Sequence, residues 1–262
     1  MKTIHSRKVL TLVSLATVLS ALAAFAAEEV REEFHQSYPL NQQGRVHLEN
    51  VNGNVHIATW DREEIKVDAV KHAKKQEHLD EVKIDVDAKA DRIRIKTKYP
   101  DAKTKRNKNN STSVDYTLTV PRQSRLDQIS TVNGGVEIEN VSGDVEASSV
   151  NGNLTASRLG GDVALSTVNG SVKANFTEVK KAVSLTSVNG GVTIALPPEA
   201  NADVSANTLN GGINSDFSLQ AKRHFPVGQN LDGKLGGGGP TIKMSSVNGG
   251  IHIDRVKTGA AL

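Results

Sequence analysis

Thr131-Val132-Asn133-Gly134-Gly135-Val136-Glu137-Ile138-Glu139 opens a stretch that runs to Ala174 and repeats every nine residues. Its glycines, Gly134, Gly143, Gly152, Gly161 and Gly170, keep that spacing. Two residues past each glycine stands Val136, Val145, Leu154, Val163 or Val172, and four past it Ile138, Ala147, Ala156, Leu165 or Ala174. Positions two apart share one face of a strand, so these aliphatics form a stripe turned to one side. Glu137, Glu139, Glu146, Thr155 and Lys173 lie between or beside them and face water. The seventh position is also aliphatic (Val141, Val150, Leu159, Val168) until Thr177, where the pattern loosens.

A longer beat sits on the first. Val-Asn-Gly returns every eighteen residues at Asn133, Asn151 and Asn169, with looser corners, Val-Ser-Gly and Leu-Gly-Gly, between. The triplet recurs at Asn189, Asn210 and Asn248, and once upstream at Val51-Asn52-Gly53. Asn-Gly readily takes positive φ at both central positions of a tight turn, which predicts a left-handed corner. A short strand and a corner at fixed period describe a repeat architecture.

Two arrangements accommodate such units. Consecutive strands can coil as a flattened parallel solenoid, two strands and two corners to a rung, or zigzag as an antiparallel meander or sandwich. A meander makes one sheet whose apolar face needs a cover, and the chain has no amphipathic helix long enough to supply it. A solenoid makes two facing sheets about 10 Å apart that bury their own stripe. The chain is therefore read as an all-β repeat solenoid. Its corner asparagines, Asn133, Asn151, Asn169, Asn189, Asn210 and Asn248, are expected to be structural, stacked about 4.8 Å apart and bonded through their side-chain amides.

Residues 1–26 read as a signal peptide: Lys2, Arg7 and Lys8, an apolar run from Val9 to Phe25, and Ala24-Phe25-Ala26 before the cleavage point. No cysteine follows to take a lipid, and the apolar run is short for a stable transmembrane segment. The expected destination is the periplasm or the outside of the cell. Removing three leader cations from 32 leaves 29 Lys and Arg against 29 Asp and Glu. The mature chain is formally neutral, and its basic whole-sequence pI does not argue for nucleic acid. Without cysteine it has no disulfides, and stability must accumulate rung by rung.

Residues 27–43 are expected as a flexible lead-in, 44–130 as a β segment that starts and caps the stack, and 131–256 as the repeat region. The repeat region is interrupted by an excursion at 215–240, and 257–262 form a frayed tail. His72 to Glu81 is charged and poor in β-branched residues, which suits one or two helical turns. Asp101 to Ser113 reads as a solvated loop with a basic run.

No catalytic signature appears: Gly-x-Ser-x-Gly, His-Glu-x-x-His and a phosphate loop are absent, and thiolate chemistry needs cysteine. His47 and His56 are placed to face one another across neighbouring strands, and His72 and His78 share the helical piece, but neither pair has a third ligand. Asp144 and Asp162 keep an eighteen-residue beat without the double-glycine spacing of calcium-binding rolls. Neither metal nor other cofactor is expected. Enzymes built on parallel β-helices gather acids and bases on one sheet, and the outward acids here show no matching row of Arg or Lys.

The strand from Val46 to Trp60-Asp61 through Asn-Gly, the strand Val114-Asp115-Tyr116-Thr117-Leu118-Thr119-Val120-Pro121 and the reiterated Val-Asn-Gly-Gly-Val resemble the bacterial putative-adhesin family of β-strand-repeat envelope proteins, a domain of unknown function. The ending Thr241-Ile242-Lys243-Met244-Ser245-Ser246-Val247-Asn248-Gly249-Gly250-Ile251 is similar to that family's ending. The resemblance implies an envelope location and an adhesin-like architecture, with no catalytic residues to carry over. The chain is accordingly read as an exported, non-catalytic binding or scaffolding module whose partner is an unknown envelope polymer or protein. An envelope-stress accessory role is the alternative, and a glycan-active enzyme ranks third.

Overall fold

The computed structural model describes residues 29–100, 112–223 and 228–256. The leader, the basic run of 101–111 and the tail of 257–262 lie outside these residues. In chain order the elements are β1 (Val30–Pro39), β2 (Arg45–Glu49), β3 (Val55–Trp60), β4 (Glu64–Ala73), α1 (Gln76–Glu81), β5 (Lys83–Lys89), β6 (Arg92–Lys98) and β7 (Ser113–Pro121). The repeat supplies β8 (Arg125–Asn133), β9 (Val136–Glu139), β10 (Val145–Asn151), β11 (Leu154–Ser157), β12 (Val163–Asn169), β13 (Val172–Asn175), β14 (Val183–Asn189), β15 (Val192–Leu196), β16 (Ala202–Asn210) and β17 (Ile213–Ser215). The chain closes with β18 (Lys222–Arg223), β19 (Gln229–Leu235), β20 (Thr241–Asn248) and β21 (Ile251–Arg255).

These strands form two sheets. A wide sheet runs β18-β19-β16-β20-β14-β12-β10-β8-β2-β6-β5, and a narrow sheet of shorter repeat strands runs β1-β4-β7-β3-β9-β11-β13-β15-β21-β17. Repeat strands pair in parallel with residues eighteen or twenty apart in register, as Val145 with Val163 and Val163 with Val183. The fold is thus a β-solenoid, not a meander. Val136, Ile138, Leu154, Ala156, Val172 and Ala174 of the narrow sheet face Val145, Ala147, Val163 and Leu165 of the wide one in one continuous core. Val141, Leu159 and Phe176 plug the second corner from inside. The pattern loosens at Thr177 because Phe176, one position earlier, takes the buried place.

The corner glycines are required for a different reason than a left-handed turn. Among the described residues the left-handed glycines are Gly53, Gly228, Gly236, Gly238 and Gly239, and the only left-handed non-glycines are Asn140 and Arg158. Gly134, Gly152, Gly170, Gly190, Gly249 and Gly211 are not among them. A Cβ on Gly152 would instead stand 1.9 Å from the carbonyl oxygen of Gly134, and one on Gly170 would stand 2.1 Å from that of Gly152. Each rung lays its backbone across the glycine of the next. At the asparagine corner positive φ is confined to Gly53 of the first rung; in the repeat it falls at the other corner, at Asn140 and Arg158.

Beside the glycines, the asparagine amides form a single file. Asn133 Nδ2 donates to Asn52 Oδ1, Asn151 to Asn133, Asn169 to Asn151, Asn189 to Asn169, Asn248 to Asn189 and Asn210 to Asn248, all at 2.7–2.8 Å. Two residues before each asparagine a buried hydroxyl caps a carbonyl of the neighbouring rung: Ser149 to Gly134, Thr167 to Gly152, Ser187 to Gly170, Ser246 to Gly190 and Thr208 to Gly249. At the second corner Asp144 Oδ1 accepts the Asp162 N–H and Asp162 Oδ1 the Ala182 N–H. Those two aspartates keep the eighteen-residue beat because they bridge rungs.

The ends of the stack depart from the expected layout. Residues 30–39 are not a free lead-in but β1, paired with β4 along all ten residues. Val51-Asn52-Gly53 joins β2 and β3 into a regular first rung, and β1, β4, α1 and β5 to β7 cover it. Asn50 holds the hydroxyl's place in that rung and donates instead to the carbonyls of Val114 and Asn52. Tyr99 Oη donates to Asn50 Oδ1, and the Tyr116 and Thr97 hydroxyls share a bond of 2.7 Å. At the far end, Phe217, Leu231 and Leu235 of the 215–240 excursion are buried, so that excursion caps the stack. β20 and β21 then return between the β14–β15 rung and the β16–β17 rung. Spatial order at the asparagine corner is therefore Asn189, Asn248, Asn210. No helix among the described residues is long and apolar enough to cross a membrane.

Gly152→Ala should lower stability by about 3 kcal/mol by forcing adjacent rungs apart. Gly212→Ala, where a Cβ meets nothing within 4 Å, should leave the thermal midpoint nearly unchanged. Asn151→Ala removes two amide bonds at an exposed corner and should cost about 1 kcal/mol in denaturant unfolding. Burial pushes the Tyr99 hydroxyl up to about 12 and raises that of Tyr116 as well. The unfolded chain releases those protons first, near the usual value of about 10. The stability gained by burying neutral Tyr99 is intact below that value and falls as pH rises toward 12. Tyr99→Phe should lose less stability than the wild type across that window, as followed by denaturant midpoints.

Candidate binding face

Period two decides what the wide sheet shows to water. From inward Leu165, Ser166 points out, Thr167 points in to cap Gly152, and Val168 points out again. The same count exposes Val51, Val132, Val150, Val168, Val247 and Leu209, each 37–47% accessible, with Val188 half-buried between Val168 and Val247. In spatial order they run Val51, Val132, Val150, Val168, Val188, Val247, Leu209 across seven adjacent rungs. At about 4.8 Å per rung the stripe is about 29 Å long. Solvent-facing aliphatics scattered singly need no explanation, but a contiguous file of them on a soluble domain marks a contact surface.

The stripe has polar borders. On one side stands the asparagine file, and on the other a row of small polar side chains, Ser130, Ser148, Ser166, Thr186, Ser245 and Asn207. A shallow groove follows the stripe, lined by Val132, Val150, Val168 and Val188 with their neighbouring hydroxyls. Nearer the second corner, the short side chains of Ala164 and Ser184 leave another groove, bordered by Arg125, Asp127 and Glu146 toward β8 and by Lys243 on β20, with Asp162 beside Ala164. Glu49, further along the same face, accepts from Lys96 at 2.6 Å and from His47 at 2.9 Å. The hydrogen bonds from Lys96 and then His47 hold its carboxyl below the ordinary glutamate range.

The structure places the other sequence candidates apart. His47 lies on the wide sheet and His56 on the narrow one, so they do not face each other. Their partners are Glu49 at 2.9 Å and Glu137 at 3.2 Å. His72 belongs to β4, beside Asp115 at 3.4 Å, and only His78 lies in α1. The outward acids divide between the sheets, Glu137 and Glu139 on the narrow one and Glu146 on the wide one. Glu139 pairs with Arg158 at 2.9 Å, a single ion pair. Among the described residues no group of three His, Asp or Glu side chains could hold a metal ion. The asparagines, in contrast, are brought together, and Asn52 joins them. Val-Asn-Gly read as a corner does not reveal that its valine is exposed. The signal was present in Ser-Ser-Val and Ser-Thr-Val, where a hydroxyl occupies the inward place and forces valine out.

This arrangement offers a regularly spaced surface, and among the described residues of that face acid, base and nucleophile do not converge. No curated protein matches the chain. Among solved structures, a putative cell adhesion protein from Clostridium sporogenes superposes with a TM-score of 0.51 at 12% identity, covering 86% of this chain and all of that one. A putative adhesin from Bacteroides fragilis gives 0.41 at 16% identity, covering 86% and 97%, and a putative lipid binding protein from Parabacteroides distasonis gives 0.32 at 9%, covering 86% and 97%. The first likeness supports the fold alone, and the other two are too slight to carry an argument. The family model described as Toastrack DUF4097 matches residues 46–254, from the first inward valine of β2 into β21, and the chain belongs to that family.

Proposed function

We propose that this chain is an exported, non-catalytic contact module of the bacterial cell envelope, adhesin-like in that it holds a partner and does not transform one. The observation that carries the reading is the file of seven aliphatics on the outside of the wide sheet. A solvated sheet face needs no such file for folding, since its core stripe lies on the other side. The ladders behind it hold its side chains at fixed intervals, which favours a partner engaged along a line or plane. The hydroxyl and amide rows beside it supply hydrogen bonds at the same spacing. Within the excursion at 215–240, Phe217, Leu231 and Leu235 are buried against the core and are not available to a partner.

Replacing Val132, Val150, Val168 and Val188 together by threonine keeps the β-branched shape and removes the apolar surface. The thermal midpoint should change little, since surface substitutions usually stay within about 0.5 kcal/mol each. Retention of the protein on envelope extracts should fall to background. Equal retention of the quadruple variant, or none by the wild type, would remove the basis for the reading.

A further inference from the structure

Strand register sets the alternating cations of β6 beside others from distant parts of the chain. β6 turns Arg92, Arg94, Lys96 and Lys98 outward, all exposed, while Ile93, Ile95 and Thr97 point into the core. Alternate residues of a strand stand roughly 6.7 Å apart, so these four form a column about 20 Å long. A row crosses the column at its start. Lys89 is the register partner of Arg92, Arg92 of Arg45, and Arg45 of Arg125. Four cations therefore stand side by side on β5, β6, β2 and β8, about 4.8 Å per step. Like charges directly opposed weaken a sheet, so this row is not there for the fold.

Acids on the same face answer only part of it. Lys98 pairs with Asp85 at 2.6 Å, Lys96 with Glu49 at 2.6 Å and Arg92 with Asp87 at 3.5 Å. Arg45 reaches Asp127 at 3.8 Å and Arg125 reaches Asp144 at 3.2 Å. Lys83, Lys89 and Arg94, all exposed, have no ion-pair partner among the described residues. The column also runs into the aliphatic stripe: Glu49 and Lys96 are register partners, and two residues onward along their chains come Val51 and Lys98. One outer face thus carries a two-dimensional array of positive charge whose end adjoins a 29 Å file of exposed aliphatics.

We propose that the outer face of the wide sheet binds the surface of a bilayer carrying anionic phosphate headgroups, with the β5–β6–β2–β8 cations on the phosphates and the Val51-to-Leu209 file in the interfacial layer. This rests on the reading of that face as a contact surface and names its partner. A single polyanion would be met by one line of charge. A crossed row and column bordered by apolar side chains matches a planar lattice of phosphates over hydrocarbon, the same pairing of basic and apolar surface that holds amphipathic elements at membranes.

The test uses the chain from Ala27, which contains every strand of the fold. It should co-sediment with vesicles containing phosphatidylglycerol, much less with pure phosphatidylcholine vesicles, and be released by high salt. The double variant K89Q/R94Q, which breaks no ion pair, should keep its thermal midpoint and lose on the order of thirtyfold in vesicle partitioning. Equal binding to both vesicle types, or an unchanged partition for K89Q/R94Q, would overturn the proposal. Binding to soluble polyphosphate with none to phosphatidylglycerol vesicles would assign the array to a linear polyanion and overturn it as well. Retention on envelope extracts without vesicle binding would sink the membrane assignment and leave the contact-face reading standing.

Discussion

At each Asn-Gly corner from Gly134 onward, the carbonyl of one rung lies 1.9–2.1 Å from where the Cβ of the next rung's glycine would stand. That approach sets the dimensions of the rest. With rungs this close, a hydroxyl two residues earlier reaches the neighbouring glycine carbonyl, and each asparagine amide touches the next at 2.7–2.8 Å. The asparagine amides, the buried hydroxyls and the glycine carbonyls of successive corners then find partners in the adjoining rung. The interior between the sheets is left to Val, Leu, Ile and Ala, whose modest volumes suit strands of four to seven residues.

Much of this was legible in the chain. Nine-residue glycine spacing, inward aliphatics at positions two and four, and the absence of a covering helix led to two facing parallel sheets. The role of the glycines was not legible, because Asn-Gly is equally the signature of a left-handed turn. Only the approach of Gly134 O to Gly152 separates close packing from positive φ. The strand in residues 30–39 was obscured by composition. Val30, Phe34 and Tyr38 are its half-buried residues, four apart, because β1 lies on the edge of the sheet and covers its core only in part.

The contact face was readable in one respect and hidden in another. Exposed valines follow from counting by two beyond each inward residue, so a stricter count would have found them. The cations of β6 alternate in the same way, and Lys89 faces Arg92 across a hairpin. Arg45 and Arg125 join them only because β2 inserts between β6 and β8, and no local pattern announces that order. A solenoid multiplies whatever one rung displays, which favours broad adhesion over convergence on a single atom. Its irregular end, where strands arrive from distant parts of the chain, is where unlike groups are brought side by side.

The late return of β20 and β21 has a kinetic corollary. Ordinarily a stacked coil can grow from one end like a zipper, each turn templated by the last. Here the turn made of β16 and β17 has no template when it is synthesised, because its neighbour in space is supplied 38 residues later, as Asp203 pairs with Thr241 and Ile213 with Ile251. The final segment must slide into a waiting slot and make bonds to both sides at once, joining Asn189 to Asn210 through Asn248. Closure is therefore non-local and slow relative to the growth of the earlier coils, and a chain made in order seals its stack only once β20 and β21 are available.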